Sequence, residues 1–276
     1  METVRVSMPD GTVTPVRLFD GGDGAPVVVI LPGLGVPGGY YDLLAERLVA
    51  HGFNAAIGEL RGQGDSRPRP GPSSRFGYHE LVSVDLPAMF ETVRLRFPES
   101  TPYLLGHSMG GQLGVLYAAR VRRRLAGLIL VASGSPYHRG FGGARSAGLL
   151  VGSAAMSMTA NVAGFWPGDR FDVGGFGRQS KTLIADWARF ARTGRIVPAG
   201  ADIDYEERIS RLTLPVLSVT VEGDDMAPER SVRAMLAKFP DADVTRWHEP
   251  ERLGHNGWIR GSRGVVDRVA EWLHDR

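Results

Sequence analysis

Apolar positions in this chain follow two alternating rhythms. The opening, "VRVSMPDGTVTPVRLFD" (4–20), alternates apolar and polar residues on both sides of Asp10-Gly11, which predicts a β-hairpin. The pattern then changes. "APVVVILPGLG" (25–35) is apolar at every position, as in a strand buried on both faces of a parallel sheet. "YYDLLAERLVAHG" (40–52) repeats apolar residues at helical spacing and stops at Gly52. Strand and helix go on alternating through "FNAAIGEL", "HELVSVDLPAMFETVRLRF", "PYLLGHS", "GGQLGVLYAARVRRR" and "LAGLILVAS". This order predicts a parallel sheet with right-handed crossovers.

The rhythm breaks at Pro136. To about Leu212 the chain is rich in glycine and aromatics, with one clear helical pattern, "SKTLIADWARFARTG" (180–194). It resumes with strand "LPVLSVTVEG", helix "PERSVRAMLAKF", strand "DVTRWHEP" and a last helix, "SRGVVDRVAEWLHDR". The expected organisation is a core in two parts, 1–134 and 213–276, with 135–212 inserted as a cap.

Composition narrows the classes. Of 276 residues, 43% are hydrophobic and 22% charged, a globular balance. A net charge of +2 gives no reason to expect a nucleic-acid partner, and Arg120 with Arg122-Arg123-Arg124 reads as a solvated helix end. With no cysteine there is no disulfide, thiolate nucleophile or Cys-bound metal. The N-terminus lacks the apolar core of a signal peptide, and no apolar run reaches membrane-spanning length, so the expectation is a soluble cytoplasmic protein.

The chemistry concentrates in "GHSMG" (106–110). A G-x-S-x-G between an apolar strand and a helix is a nucleophile elbow, a turn so sharp that it lifts the serine hydroxyl above the sheet edge. Ser108 there needs a base, and the base an orienting acid. Seven histidines are available. His51 and His274 fall on helix surfaces, and His107 adjoins the serine but points elsewhere. His248 lies in a strand, a setting for packing or surface. His255, in the glycine-containing loop "ERLGHNGWIR", is placed to reach over the sheet edge. No Asp or Glu occurs between Arg124 and Asp169, so the acid falls to the loop after "LPVLSVTV", at Asp224 or Asp225.

With "LPGLG" (31–35), "ELRGQGDSR" (59–67), "GHSMGG" (106–111), "GDDMAP" (223–228) and "GHNGW" (254–258), the chain resembles the α/β-hydrolase fold superfamily. Within it, the likeness is to capped serine hydrolases grouped with lysophospholipases, monoglyceride lipases and S33-type peptidases. The resemblance implies a mostly parallel eight-stranded sheet flanked by helices, with a mainly helical cap between strands 6 and 7. It implies Asp224 as the acid, in an Asp-x-x-x-Pro loop closed by Pro228, and the backbone N–H groups of Leu34 and Met109 as the oxyanion hole. Two positions depart from the pattern: Pro32-Gly33 stands where relatives carry His-Gly, and Glu59 where they often carry Asp. The implied reaction is hydrolysis of a carboxylic ester or thioester of a small to medium, moderately hydrophobic substrate, with water as second reactant and no metal or organic cofactor. The same triad also serves peptidases, lactonases, carbon–carbon hydrolases and lyases, and the fold has non-catalytic binding members. Tyr137, Phe165, Trp166 and Trp187 are candidates for an apolar cap wall, and Trp258 for a pocket position near His255; for any single one, core packing is the plainer account.

Overall fold

The alternating opening forms β1 (Glu2–Ser7) and β2 (Val13–Phe19), paired antiparallel from Glu2 opposite Leu18 to Ser7 opposite Val13. The computed structural model describes residues 1–121, 124–171 and 175–276; Arg122 and Arg123 of the basic helix end lie outside the described residues. Next come β3 (Val27–Leu31), β4 (Asn54–Gly58), β5 (Pro102–His107) and β6 (Gly127–Val131). After an excursion, β9 (Val216–Val221) and β10 (Val244–Glu249) complete an eight-stranded sheet of order β1-β2-β4-β3-β5-β6-β9-β10. It is parallel from β4 to β10, with the N-terminal hairpin antiparallel at one edge.

Continuous apolarity matters because β3 has two faces to bury. Val27, Val29 and Leu31 face one core, with Leu86, Met89 and Val93 of α3 (Leu86–Arg96) and Leu113 and Leu116 of α4 (Met109–Val121). Val28 and Ile30 face the other, with Leu44 and Leu48 of α1 (Asp42–Ala50) and Val269 and Trp272 of α11 (Gly264–His274). Each such burial contributes about 1.5–3 kcal/mol. A short helix, α2 (Tyr78–Glu80), and a π-helical turn, Leu81–Asp85, lead into α3.

Between β6 and β9 the chain leaves the sheet. It forms the long helix α5 (Gly143–Ala163), a two-stranded hairpin of β7 (Phe165–Pro167) and β8 (Arg178–Ser180), and the short helix α6 (Gly168–Phe171). Then follow α7 (Lys181–Thr193) and α8 (Tyr205–Ser210), and α9 (Glu229–Leu236) joins β9 to β10. The sequence predicts α7, capped by Ser180 Oγ accepting from Thr182 N–H, and stopped by Gly194 at φ 70°. It does not predict α5, whose 21 residues carry small or apolar side chains on every face and so show no amphipathic period.

A buried carboxylate ties α7 to the core. Asp186, 4% exposed, accepts N–H groups from Tyr78 (3.2 Å) and Ala199 (2.9 Å). Burial pushes its carboxyl up from 3.8 to about 6. A raised folded-state value favours the protonated fold, so this stabilisation is full below pH 4 and lost as the pH rises through 6. Asp186→Asn is therefore expected to flatten stability across that window, by about 3 kcal/mol against the unmodified protein. Urea unfolding of both at pH 4 and 7.5 measures it, and parallel pH profiles would refute it.

Candidate active site

Ser108 sits between β5 and α4 with φ 53°, the left-handed region, where a residue with a Cβ is strained by about 1–3 kcal/mol. The glycines two residues to either side explain how the turn closes. A Cβ on Gly106 would fall 2.3 Å from Gly111 Cα, and one on Gly110 would fall 2.2 Å from the Leu31 carbonyl oxygen. The Ser108 carbonyl accepts from Ser133 Oγ at 2.8 Å and from Gly111 N–H at 3.0 Å. The half-buried side chain is left to one partner, His255, whose Nε2 is 2.8 Å from Ser108 Oγ.

His255 lies in the first turn of α10 (Gly254–Gly261), not in the loop the sequence predicts. The two glycines of "GHNGW" mask a helix that Trp258 and Ile259 anchor by burial, and Gly254 enters it at φ 63°. His255 Nδ1 is 2.9 Å from both carboxylate oxygens of Asp224, which is buried, 8% exposed. Asp224 Oδ1 also accepts from Met226 N–H (2.8 Å) and Ala227 N–H (2.9 Å), so its loop holds the carboxylate in place. Asp225, its neighbour, is exposed and paired at 2.5 Å with Arg145 of α5, whose guanidinium holds that carboxyl below its usual range. The rival histidine, His248, stays at the sheet edge, exposed and 2.9 Å from Thr220 Oγ1.

Leu34 and Met109 border the same cleft as Ser108. Gly33 N–H donates to Tyr41 Oη at 2.9 Å and Gly35 N–H to Gln63 Oε1 at 2.5 Å. Between these two engaged amides, Leu34 N–H meets no acceptor among the described residues. Met109 opens α4, so its N–H lacks an intrahelical acceptor and lies at the positive end of the helix. Glu59, at the departure from the family pattern, is buried and accepts Gly38 N–H at 3.0 Å. Burial pushes its carboxyl up, and its partners make it a brace for the adjoining loop.

The cleft holds about 420 Å³ and is mainly apolar. Of the predicted aromatics only Trp187 borders it, joined by Phe141 and Phe176, which the sequence did not single out. The others pack elsewhere. Tyr137 lies against Gly194, Phe165 under the Arg178 guanidinium, and Trp166 with Met156 and Ile184. Trp258 is buried on the α1–α11 side of the sheet, edge-on to the His107 ring at 5.3 Å. Gly148, Gly152 and Ser153 of α5, with Gln112 of α4, supply much of the remaining wall. An oxygen nucleophile, an imidazole on a buried carboxylate and two free amides suit acyl transfer.

A sheet of this order, with a serine on its central strand–helix turn, an acid on a later loop and a histidine at the start of a later helix, defines an α/β-hydrolase fold. The chain belongs to the serine aminopeptidase, S33, family, whose profile matches residues 23–163. It is similar to the monoglyceride lipase of Rattus norvegicus, 31% identical over 263 residues covering 91% of this chain and 82% of that one. It is also 33% identical over 118 residues to the proline iminopeptidase of Chitinophaga pinensis, covering 41% of this chain and 38% of that one. The chain thus spans less than two thirds of the iminopeptidase's length. A thermophilic esterase from Thermogutta terrifontis shares the fold at TM-score 0.63 and 20% identity, over 100% of this chain and 99% of that one. Among the described residues no helix is long and apolar enough to cross a membrane.

Proposed function

We propose that this protein is a serine hydrolase that cleaves a carboxylic ester or thioester of a small to medium, moderately hydrophobic substrate. The observation that carries the reading is the unbroken line from Asp224 through His255 to Ser108, with every contact at 2.8–2.9 Å. His255 Nε2 takes the Ser108 proton as Oγ attacks the carbonyl carbon, and Asp224 stabilises the imidazolium that forms. Leu34 N–H and Met109 N–H receive the oxyanion, each contributing about 3–4 kcal/mol to the transition state. The tetrahedral intermediate collapses to an acyl-Ser108, and the alcohol or thiol leaves with the proton from His255. Water, deprotonated by His255, then attacks the acyl group and releases the acid and the free serine.

The family's name supplies an aminopeptidase as a second reading. Such a substrate brings an ammonium group to the cleft. Asp225 is the carboxylate bordering it, and Arg145 already neutralises that group. The apolar walls favour the ester.

In this reading residues 135–212 are the cap, and α5 selects the substrate. Gly152 borders the cleft, and a Cβ there would meet no atom within 4 Å. A mid-helix glycine costs about 1 kcal/mol against alanine, so its vacancy makes room for substrate at the expense of helix stability. Gly152→Leu is expected to lower kcat/KM for p-nitrophenyl decanoate at least tenfold more than for the acetate, with an unchanged or higher Tm. Equal losses on both esters would argue against it. The reading itself is tested with a fluorophosphonate probe and p-nitrophenyl esters of graded length. Labelling of Ser108 with ester turnover supports it; neither labelling nor turnover sinks it.

A further inference from the structure

The reaction leaves one buried histidine unused. His107 precedes the nucleophile and is fully buried, yet both of its ring nitrogens are engaged. Nε2 lies 3.0 Å from the main-chain carbonyl oxygen of His255, and Nδ1 lies 2.6 Å from Tyr41 Oη. Tyr41 Oη also receives Gly33 N–H at 2.9 Å. The directions of these bonds follow from the carbonyl, which can only accept, so His107 Nε2 carries hydrogen. Burial, reinforced by nearby His255, holds His107 well below the usual histidine range, so it is neutral and Nδ1 is bare. Tyr41 therefore donates to Nδ1 while accepting from Gly33, and burial pushes its phenol far up, so it keeps the proton.

We propose that Tyr41 and His107 are positioning residues, through which one buried hydrogen-bond chain holds the oxyanion loop, the serine turn and the backbone of the base in fixed relation. The proposal rests on the serine-hydrolase reading. Gly33 immediately precedes Leu34, His107 immediately precedes Ser108, and the accepting carbonyl belongs to the residue whose imidazole moves the proton. Neither Tyr41 nor His107 borders the cleft, so neither touches substrate. Packing keeps the chain stiff: a Cβ on Gly33 would fall 2.9 Å from His107 Nδ1, and the Trp258 ring stands edge-on to the His107 ring. A phenylalanine would fill the Tyr41 site equally well. The hydroxyl, which joins the oxyanion loop to His107 and through it to the backbone of His255, is what packing does not explain.

The test is Tyr41→Phe, with active sites counted by fluorophosphonate titration so that kcat is read per competent Ser108. Small displacements of reacting groups cost about 10- to 100-fold, so kcat per titrated site is expected to fall by that factor, with KM within about threefold. The double variant Tyr41→Phe/His107→Phe is expected to be no slower than His107→Phe alone, because the chain is already cut. A Tyr41→Phe variant with unchanged kcat per site, or losses that multiply in the double variant, overturns the proposal. Should Tyr41→Phe fail to fold, His107→Gln decides the same question. Its amide keeps a donor and an acceptor and should stay within about fivefold of the unmodified enzyme, while His107→Phe does not; equal losses overturn the proposal. If the unmodified protein is neither labelled nor active on any ester, the serine-hydrolase reading fails and takes this proposal with it. If it labels and turns over, only the positioning role is at stake.

Discussion

Ser108→Ala is expected to abolish fluorophosphonate labelling and to lower kcat for p-nitrophenyl esters by about 10⁶-fold, leaving KM little changed. The reason is chemical rather than structural. In the proposed mechanism the serine hydroxyl is the atom that bonds to carbon, and among the described residues no other hydroxyl shares the 2.8 Å contact with His255 Nε2. The turn should survive the change, because its geometry rests on glycine contacts and on the Ser108 carbonyl, which the substitution leaves in place. Alanine carries the same Cβ at φ 53°, so backbone strain is unaltered and Tm is expected within about 2 °C. Residual activity within 100-fold of the unmodified enzyme would mean that a different nucleophile does the work.

The second large effect separates adjacent aspartates. Asp224→Asn is expected to lower kcat by about 10⁴-fold, and Asp225→Asn by less than threefold. An asparagine at 224 still accepts from Met226 and Ala227 through its amide oxygen, so the loop keeps its shape. Its NH₂ group then faces His255 Nδ1, which must become the bare nitrogen. The hydrogen moves to Nε2, where it confronts Ser108 Oγ and blocks proton abstraction. Asp225 makes an exposed ion pair with Arg145, and solvent screens such pairs so that losing one changes little. A larger loss from Asp225→Asn would contradict the assignment of Asp224.

The sheet was legible because its strands are buried on both faces and therefore written as uninterrupted apolar runs, as in Val27–Leu31 and Gly127–Val131. The triad candidates were legible because each lies after a parallel strand, in a segment whose glycines or prolines mark a turn. Other features left weaker traces. α5 buries one side against the fold and exposes Val151, Met158 and Val162 on another, so apolar residues surround it and no period emerges. Trp258, three positions from His255, reads as a pocket candidate from sequence, but it is 1% exposed and packs in the core on the α1–α11 side of the sheet. Tyr41 gave no signal, since a tyrosine at the start of a helical pattern is ordinary and its partners lie 8 and 66 positions away.

The strand order has a consequence for how the molecule is made. The serine turn is built by β3, β5 and β6, which are close in sequence, whereas the proposed acid and base follow β9 and β10. The register pairs Leu128 with Val216, so everything between them must be looped out before β9 can dock. Loop closure is paid in chain entropy, and contacts between distant residues form slowly. A chain that has paired β3 with β5 and β5 with β6 carries its serine but has nothing to activate it. Under the proposed mechanism, reactivity is therefore expected only once the last strands have joined the sheet.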